Sequence, residues 1–348
     1  MDLFLPRGVA LSSSTADEAS PANPMELPAA SEVWKEIIRG HSSHTRDDNI
    51  IHLVDSHGHA HLERESEPLY RLDTDHNEPP ERHFISLSCA VEPTDWEACI
   101  QYAAKSRLRL AALGVHPWYL AELPKDWLGD LEALLQQHTG ILVGEIGLCK
   151  VARFIRTYRQ GKAAALALQR TVFSQQLDLA AAYRRPVTVH CVQQQQVLLD
   201  TLKERHSRQQ LPTAIALHSF TGTAHHVDQL MKWERSLYSR RRSIEKDEAT
   251  NEPLLYFGFS HMVNCAMCSS EKSRRQGREA IRQVPPERLL VESDVHNSHD
   301  SMGGTALACA YLARALDEPV DVVAQRTTAN ALRFLQTIRH GTTERQEV

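Results

Sequence analysis

The sequence predicts an α/β fold of the (β/α)8 TIM-barrel type. Three observations support this prediction. Short apolar segments alternate with amphipathic helical patterns from about residue 50 onward, eight such strand–helix units follow one another before residue 340, and polar residues suited to chemistry come directly after several of the strands. Repeated strand–helix units form parallel sheets, and eight of them are the number that closes into a barrel.

The predicted strands are short segments rich in β-branched residues and leucine. Several are continuously apolar rather than alternating, which is typical of parallel strands that helices cover on their outer face. In chain order they are Ile50–Ser56, His83–Val91, Arg109–Val115, Ile141–Leu148, Pro186–Val192, Thr213–Phe220, Leu254–Ser260 and Leu289–Val295.

The predicted helices have apolar residues three and four positions apart. They are Asp95–Lys105, Trp127–His138, Ala163–Arg184, Gln194–His206, Ala224–Arg235, Glu271–Val284, Thr305–Leu316 and Pro319–Ile338. An open, doubly wound sheet is the alternative arrangement of the same units. The first connection, Ala60–Arg82, has no helical pattern, and its acidic and proline residues predict a long polar loop on the active-site side.

The chain divides into three regions by composition. Residues 1–30 are small, polar and proline-containing, which predicts a disordered tail. Residues 31–49 are predicted to be a linker with a short helix, and residues 50–340 the barrel domain.

Composition limits the classes of function. The 348 residues include 39 Lys and Arg against 44 Asp and Glu, a net charge of −5, which argues against nucleic-acid binding mainly through a basic surface. A bound metal ion can still supply local positive charge for a phosphodiester substrate. The absence of a long apolar run predicts no membrane span. Seven cysteines without a secretory signal predict reduced thiols inside the cell, in the cytoplasm or nucleus.

Residue types that commonly bind metal ions lie at the ends of five predicted strands. Barrel enzymes place their catalytic groups at the carboxyl ends of the strands, so these side chains are expected to share one mouth. Imidazoles suit zinc, iron or nickel, and carboxylates also accept magnesium and manganese. Because alternate residues of a strand face the same way, two histidines in the first motif are expected to point at one spot. The candidate ligands are His57, His59, Glu145, His190, His218 and Asp294.

The motifs around these residues resemble those of the TatD-like metal-dependent hydrolases, within the amidohydrolase-like superfamily. The resemblance covers about residues 50–338 and keeps the motif order of that family. The Gly-Val-His-Pro-Trp version looks closer to its fungal-type branch. The motifs are DSHGH at 55–59, GVHP at 114–117, VGEIGL at 143–148, PVTVH at 186–190, HSFTG at 218–222, RLLVESD at 288–294 and TANA at 328–331.

The resemblance implies a deoxyribonuclease that uses two divalent metal ions, Mg, Mn or Zn. The histidines of the first motif and Asp294 bind the first metal, His190 and His218 bind the second, and Glu145 bridges the two. Asp294 also orients or deprotonates the attacking water. At the end of the third strand, His116 is expected to contact the substrate.

Two departures from the family pattern keep other functions open. Cys149 stands where the family usually has Asp, and we interpret it as a neutral replacement, with a soft zinc ligand as the alternative. The residues after Asp294 and after His190 also differ, which affects the expected substrate contacts. The alternative functions are hydrolysis of another ester or amide, and an interaction protein that has lost turnover. Protein partners are unknown.

Overall fold

The fold is known from a computed structural model. It describes residues 27–42, 51–63, 69, 70, 72, 83–242, 252–268 and 270–337, without the side chains of residues 41, 42 and 239–242. The predicted disordered tail lies outside the described residues except for positions 27–30. So does most of the polar loop predicted between the first two strands.

Eight strands form one parallel sheet in sequential order, which confirms the predicted fold class. Each strand pairs with the next along the chain. Their bounds are β1 Leu53–Gly58, β2 Phe84–Cys89, β3 Arg109–Leu113, β4 Leu142–Cys149, β5 Val187–Val192, β6 Ile215–Leu217, β7 Leu255–Ser260 and β8 Leu289–Glu292.

Helices cover the outside of the sheet. They are α1 Ala30–Ser42, α2 Trp96–Ala104, α3 Trp127–Gln137, α4 Arg153–Thr157, α5 Lys162–Ala182, α6 Gln195–Ser207, α7 Ala224–Arg242, α8 Glu271–Gln283, α9 Ser298–Leu316 and α10 Val320–Gln336. The sequence pattern missed α4, which has only five residues. Helix α9 begins seven residues before the predicted start at Thr305, because its first turns are polar although they are buried.

The two ends of the sheet meet and close the barrel. Beyond β8, the backbone N–H of Asp294 donates to the carbonyl of His57 at 3.0 Å, and the N–H of His59 donates to the carbonyl of Val295 at 2.7 Å. The Ser56 hydroxyl adds a bond of 2.9 Å to the carbonyl of Val291. These bonds hold the first and last sequence motifs side by side.

Alternation along the strands separates two apolar clusters. One faces the barrel interior and includes Val54, Leu142 and Tyr256, and the other faces the helices and includes Leu53, Val143 and Leu255. Phe334 of α10 stacks edge-on against Tyr256 near the start of β7, with 5.5 Å between ring centroids. Helix α10 thus fills the amino-terminal end of the barrel and leaves the opposite end for polar groups.

Residues before β1 contribute to the core. In α1, the side chains of Val33, Trp34 and Ile37 are buried, and the helix packs against α9 and α10. A Cβ at Gly40 would lie 2.4 Å from the Cβ of Asp321 in α10, so a glycine permits the close approach. Within the described residues, no helix is both long enough and apolar enough to cross a membrane.

Candidate metal centre

Glu145, near the middle of β4, lies at the centre of a histidine cluster in the mouth of the barrel. Glu145 is 2 % exposed to solvent, so its carboxylate is closed off from bulk water. Five imidazole nitrogens surround its two oxygens. Oε1 lies 2.7 Å from His218, 3.0 Å from His190 and 3.2 Å from His116, and Oε2 lies 3.4 Å from both His57 and His59.

His57 and His59 converge on the same oxygen, although a regular strand does not carry them there. β1 ends at Gly58, and its register against β2 shifts between Asp55 and Gly58. The two rings meet edge to face with centroids 5.2 Å apart. The bulge re-aims the side chains, which is a common use of such irregularities beside active sites.

Asp294 completes the cluster from the segment after β8. Its backbone lies in the left-handed region with φ 55°, which Asp tolerates better than most residues. One carboxylate oxygen lies 3.5 Å from Nε2 of His59, and the other accepts the hydroxyl of Ser219 at 3.0 Å. The carboxylate therefore sits beside the histidines of the first motif and is held by the sixth-strand loop.

Groups around the cluster fix the orientation of the imidazoles. Nδ1 of His59 lies 2.7 Å from the carbonyl of Cys89, and Nδ1 of His57 lies 2.6 Å from the hydroxyl of Thr188. In both rings Nε2 is then the atom turned toward Glu145. Partners of this kind set the tautomer of metal-binding histidines.

A second buried carboxylate, Glu292 in β8, was not among the predicted site residues. It accepts the backbone N–H of Ser219, and its Oε1 lies 3.6 Å from Nδ1 of His218. The imidazole of His218 is stacked on that of His57, with centroids 3.9 Å apart. A carboxylate behind a histidine is a recognised signal for a metal ligand, but the sequence alone does not show which strand-end acid lies behind which histidine.

A glycine brings β4 and β5 close enough for the cluster to form. Gly147 pairs with His190 in the sheet and has φ +145°. A Cβ at this position would lie 2.0 Å from the carbonyl oxygen of His190. Any other residue would push the strand of His190 away from the strand of Glu145.

The charges in the cluster suit cation binding. Burial raises the pKa of Glu145, but His116 and His218 offset this and hold it well below its ordinary value. Burial also raises the pKa of Asp294, which the hydrogen bond to His59 and the nearby histidines lower below its usual range. Burial lowers the pKa of His116 to about 4. The carboxylates are thus ionised, and His116 is a neutral imidazole.

The donor atoms fit divalent metal ions. Nε2 of His57, the atom of that ring that faces Glu145, is buried without a hydrogen-bond partner. Such orphaned atoms are costly unless something binds them. Three groups have donor atoms within 4.8 Å of one another, namely His57–Glu145–His218, His57–His59–Asp294 and His116–Glu145–His190.

The structure brings together all six predicted metal-ligand candidates and adds His116. The sequence predicted His116 as a substrate contact, whereas the fold places its Nε2 within the group formed with Glu145 and His190. His61, two residues beyond His59, turns away and lies 2.8 Å from the hydroxyl of Ser88. Cys149 lies next to the cluster, with Sγ 3.1 Å from the indole nitrogen of Trp118.

Comparison with known proteins gives the family. The family described as TatD related DNase matches residues 54–336, which includes every strand except the first residue of β1. The chain belongs to this TatD family. All seven residues of the cluster fall inside the matched segment.

Curated relatives from the TatD family include nucleases. The chain is 30% identical over 184 residues to the 3'-5' ssDNA/RNA exonuclease TatD of Edwardsiella piscicida, covering 53% of this chain and 56% of that protein. It is 25% identical over 201 residues to the human 3'-5' RNA nuclease TATDN2, covering 57% of this chain and 21% of that protein. It is 28% identical over 209 residues to the Cut9-interacting protein scn1 of Schizosaccharomyces pombe, covering 50% of this chain and 56% of that protein. The match thus spans between a fifth and just over half of the length of these relatives.

Solved structures share the fold. The TatD homologue YJJV of Escherichia coli K12 superposes with a TM-score of 0.57 at 19% identity, covering 81% of this chain and 97% of that one. An uncharacterized amidohydrolase of Saccharomyces cerevisiae superposes with a TM-score of 0.51 at 14% identity, covering 73% of this chain and 89% of that one. At these identities the likeness concerns the barrel alone.

Proposed function

We propose that this TatD-family protein is a metal-dependent hydrolase that cleaves phosphodiester bonds of nucleic acids, with DNA as the leading substrate. One observation carries the proposal. The buried Glu145 carboxylate has five imidazole nitrogens within 3.4 Å, and one of them, Nε2 of His57, has no hydrogen-bond partner. Imidazoles gathered around one buried carboxylate form a donor set that suits divalent cations.

The ligand set divides naturally into two sites that share Glu145. His57, His59 and Asp294 would hold one divalent ion, and the histidines of β5 and β6 the other, with His116 as an additional donor to the second. Mg, Mn and Zn remain the candidates, and five imidazoles weight the set toward the softer end of that range. Two bound cations supply charge neutralisation at a phosphodiester oxygen and lower the pKa of coordinated water.

The protein groups around the site then have distinct tasks. Asp294 is an ionised carboxylate held by the hydroxyl of Ser219 at 3.0 Å, and we assign to it the task of accepting a proton from an attacking water. Glu292 keeps the ring of His218 in place from behind. His57 and Glu145 are closed off from bulk solvent, which strengthens electrostatic interactions within the mouth.

Nucleic acid is the substrate class that the relatives support. Two of the relatives described above are named as nucleases acting on ssDNA, RNA or both. We also propose that this protein prefers DNA to RNA and that it belongs to the fungal-type branch of the family. The 28% identity to the S. pombe protein and the Gly-Val-His-Pro-Trp motif support that branch.

The experiment combines metal analysis with a nuclease assay on one preparation. We expect bound divalent metal in the purified protein, cleavage of a short single-stranded DNA, loss of cleavage on chelation and recovery on re-addition. His190→Ala should lower both metal content and cleavage, and His225→Ala, an exposed histidine on α7, is the matched control.

A protein that binds metal but hydrolyses only small amides or esters would contradict the proposed substrate. A protein that binds metal and turns over none of these substrates would be an interaction protein on the same barrel.

The compartment is part of the proposal. All seven cysteines are free, and six of them are buried. Reduced thiols in this number support a reducing compartment, the cytoplasm or nucleus. To test this, cells are lysed under denaturing conditions and the thiols of the protein are labelled with a thiol reagent before and after reduction. Disulfides in the cellular protein would contradict it.

A further inference from the structure

The mouth of the barrel carries an aromatic rim directly beside the metal-ligand cluster. Trp118 and Tyr119 follow β3 and are 38% and 37% exposed, unusual for large aromatic side chains. The Trp118 ring lies edge-on to two imidazoles of the cluster, with centroids 5.2 Å from His116 and 6.2 Å from His190. The Tyr119 ring centroid is 6.0 Å from that of His116. The exposed aromatic surface therefore begins directly beside the imidazoles of the metal-ligand cluster.

Trp118 is held in one orientation. Its indole N–H donates to Sγ of Cys149 at 3.1 Å, and its backbone N–H donates to Nδ1 of His116 at 3.3 Å. Cys149 is itself fixed by the buried side chain of Gln169, which accepts its backbone N–H at 3.1 Å. A ring anchored at its polar edge offers its remaining surface without a large loss of conformational entropy on binding.

We propose that Trp118 is a stacking platform for the nucleobase next to the scissile phosphodiester, and that Cys149 is the positioning residue that holds the indole. The inference rests on the proposed nuclease function and names how the substrate is held. Base–aromatic stacking tolerates any base, which suits a nuclease without sequence preference.

The charge of the protein favours such a platform. The net charge is −5, so counterion release from a broad basic surface contributes little to nucleic-acid affinity. Metal ions bound in the cluster would engage only the scissile phosphate. Stacking on an adjacent aromatic ring is a further source of affinity for a flexible single strand.

The position of Cys149 also gives that residue a task. The sequence shows a cysteine where the family usually has an aspartate, and the thiol accepts the indole N–H of Trp118. Cys149 also lies on β4, the strand that carries Glu145. Cys149 thus links the aromatic rim to the ligand cluster.

The test measures binding without cleavage. Fluorescein-labelled hexathymidylate with cleavage-resistant phosphorothioate links, and six versions with one abasic position each, are titrated against metal-loaded wild type, Trp118→Ala and Trp118→Phe. In the wild type, one abasic position should cost about 5- to 100-fold in affinity. In Trp118→Ala that penalty should disappear, because the ring on which the base stacks is gone. Trp118→Phe should keep part of it. Val322→Ala, an exposed apolar residue on α10, is the control.

The role of Cys149 is tested with the same probes. Cys149→Ala removes the acceptor for the indole and should reduce the abasic penalty. Cys149→Asp restores an acceptor and should restore the penalty. A merely structural role would weaken binding of intact and abasic probes equally and would not respond to this rescue.

The outcomes separate the two proposals. If the wild type cleaves DNA but shows the same abasic penalties as Trp118→Ala at every position, the stacking inference is wrong and the nuclease function stands. If the wild type neither binds nor cleaves nucleic acid, both are wrong.

Discussion

Replacing Gly147 by alanine tests the close approach of β4 and β5. A Cβ there would lie 2.0 Å from the carbonyl oxygen of His190, far inside van der Waals contact, and the neighbouring atoms are backbone and cannot rotate away. The residue also has φ +145°, which is unfavourable for alanine by about 1–3 kcal/mol. Overpacking adds about 1–3 kcal/mol. We therefore expect Gly147→Ala to lower the free energy of unfolding by about 2–6 kcal/mol.

Two other glycines separate these contributions. Gly161 has φ +88° and no atom within 4 Å of its added Cβ, so Gly161→Ala should show the conformational cost alone. Gly129 lies inside α3, also with open space around it, and Gly129→Ala should stabilise the protein by about 0.5–1 kcal/mol. Urea denaturation followed by fluorescence measures all three.

The site gives an independent measurement on the same variants. Because Gly147 pairs with His190, moving the strands apart should reduce metal affinity by about tenfold or more in Gly147→Ala and leave it unchanged in the other two. Equal unfolding free energies for Gly147→Ala and Gly161→Ala, within about 0.5 kcal/mol, would refute the close approach.

Substitutions at three further positions probe the site and its support. Glu145→Ala should remove at least one metal ion and lower hydrolysis by about 100-fold or more, with an unchanged circular dichroism spectrum; full activity would indicate a different mechanism. Cys149→Asp should keep or raise hydrolysis supported by Mg or Mn. Cys149→Ser should keep the zinc content of the wild type. Stoichiometric loss of zinc in Cys149→Ser would instead show that the thiolate is a metal ligand. Glu234→Gln breaks a buried ion pair with Arg288 at 2.7 Å, and should cost about 3–5 kcal/mol in urea denaturation without changing metal content. Metal loss in that variant would show that the pair also supports the site.

The sequence predicted every strand because their apolar runs are short and separated by clear helical patterns. It also predicted that the candidate ligands share one mouth of the barrel, since each lies on or directly after a strand and parallel strands all end there. Helix ends were less predictable. Helix α9 starts at Ser298, in a polar stretch that is buried against the barrel, and burial by distant elements leaves no local periodic signal.

Sequence alone determined which residues are available to the site and toward which end of the barrel they lie, because direction within a strand is a local property. Only the tertiary structure decided which atoms meet. The inclusion of His116 beside Glu145, the place of Glu292 behind His218, and the contact of Cys149 with Trp118 depend on strand register, on the bulge in β1 and on the separation of β4 and β5. Distances between separate elements are set by packing of the whole barrel, and spacing along the chain does not encode them.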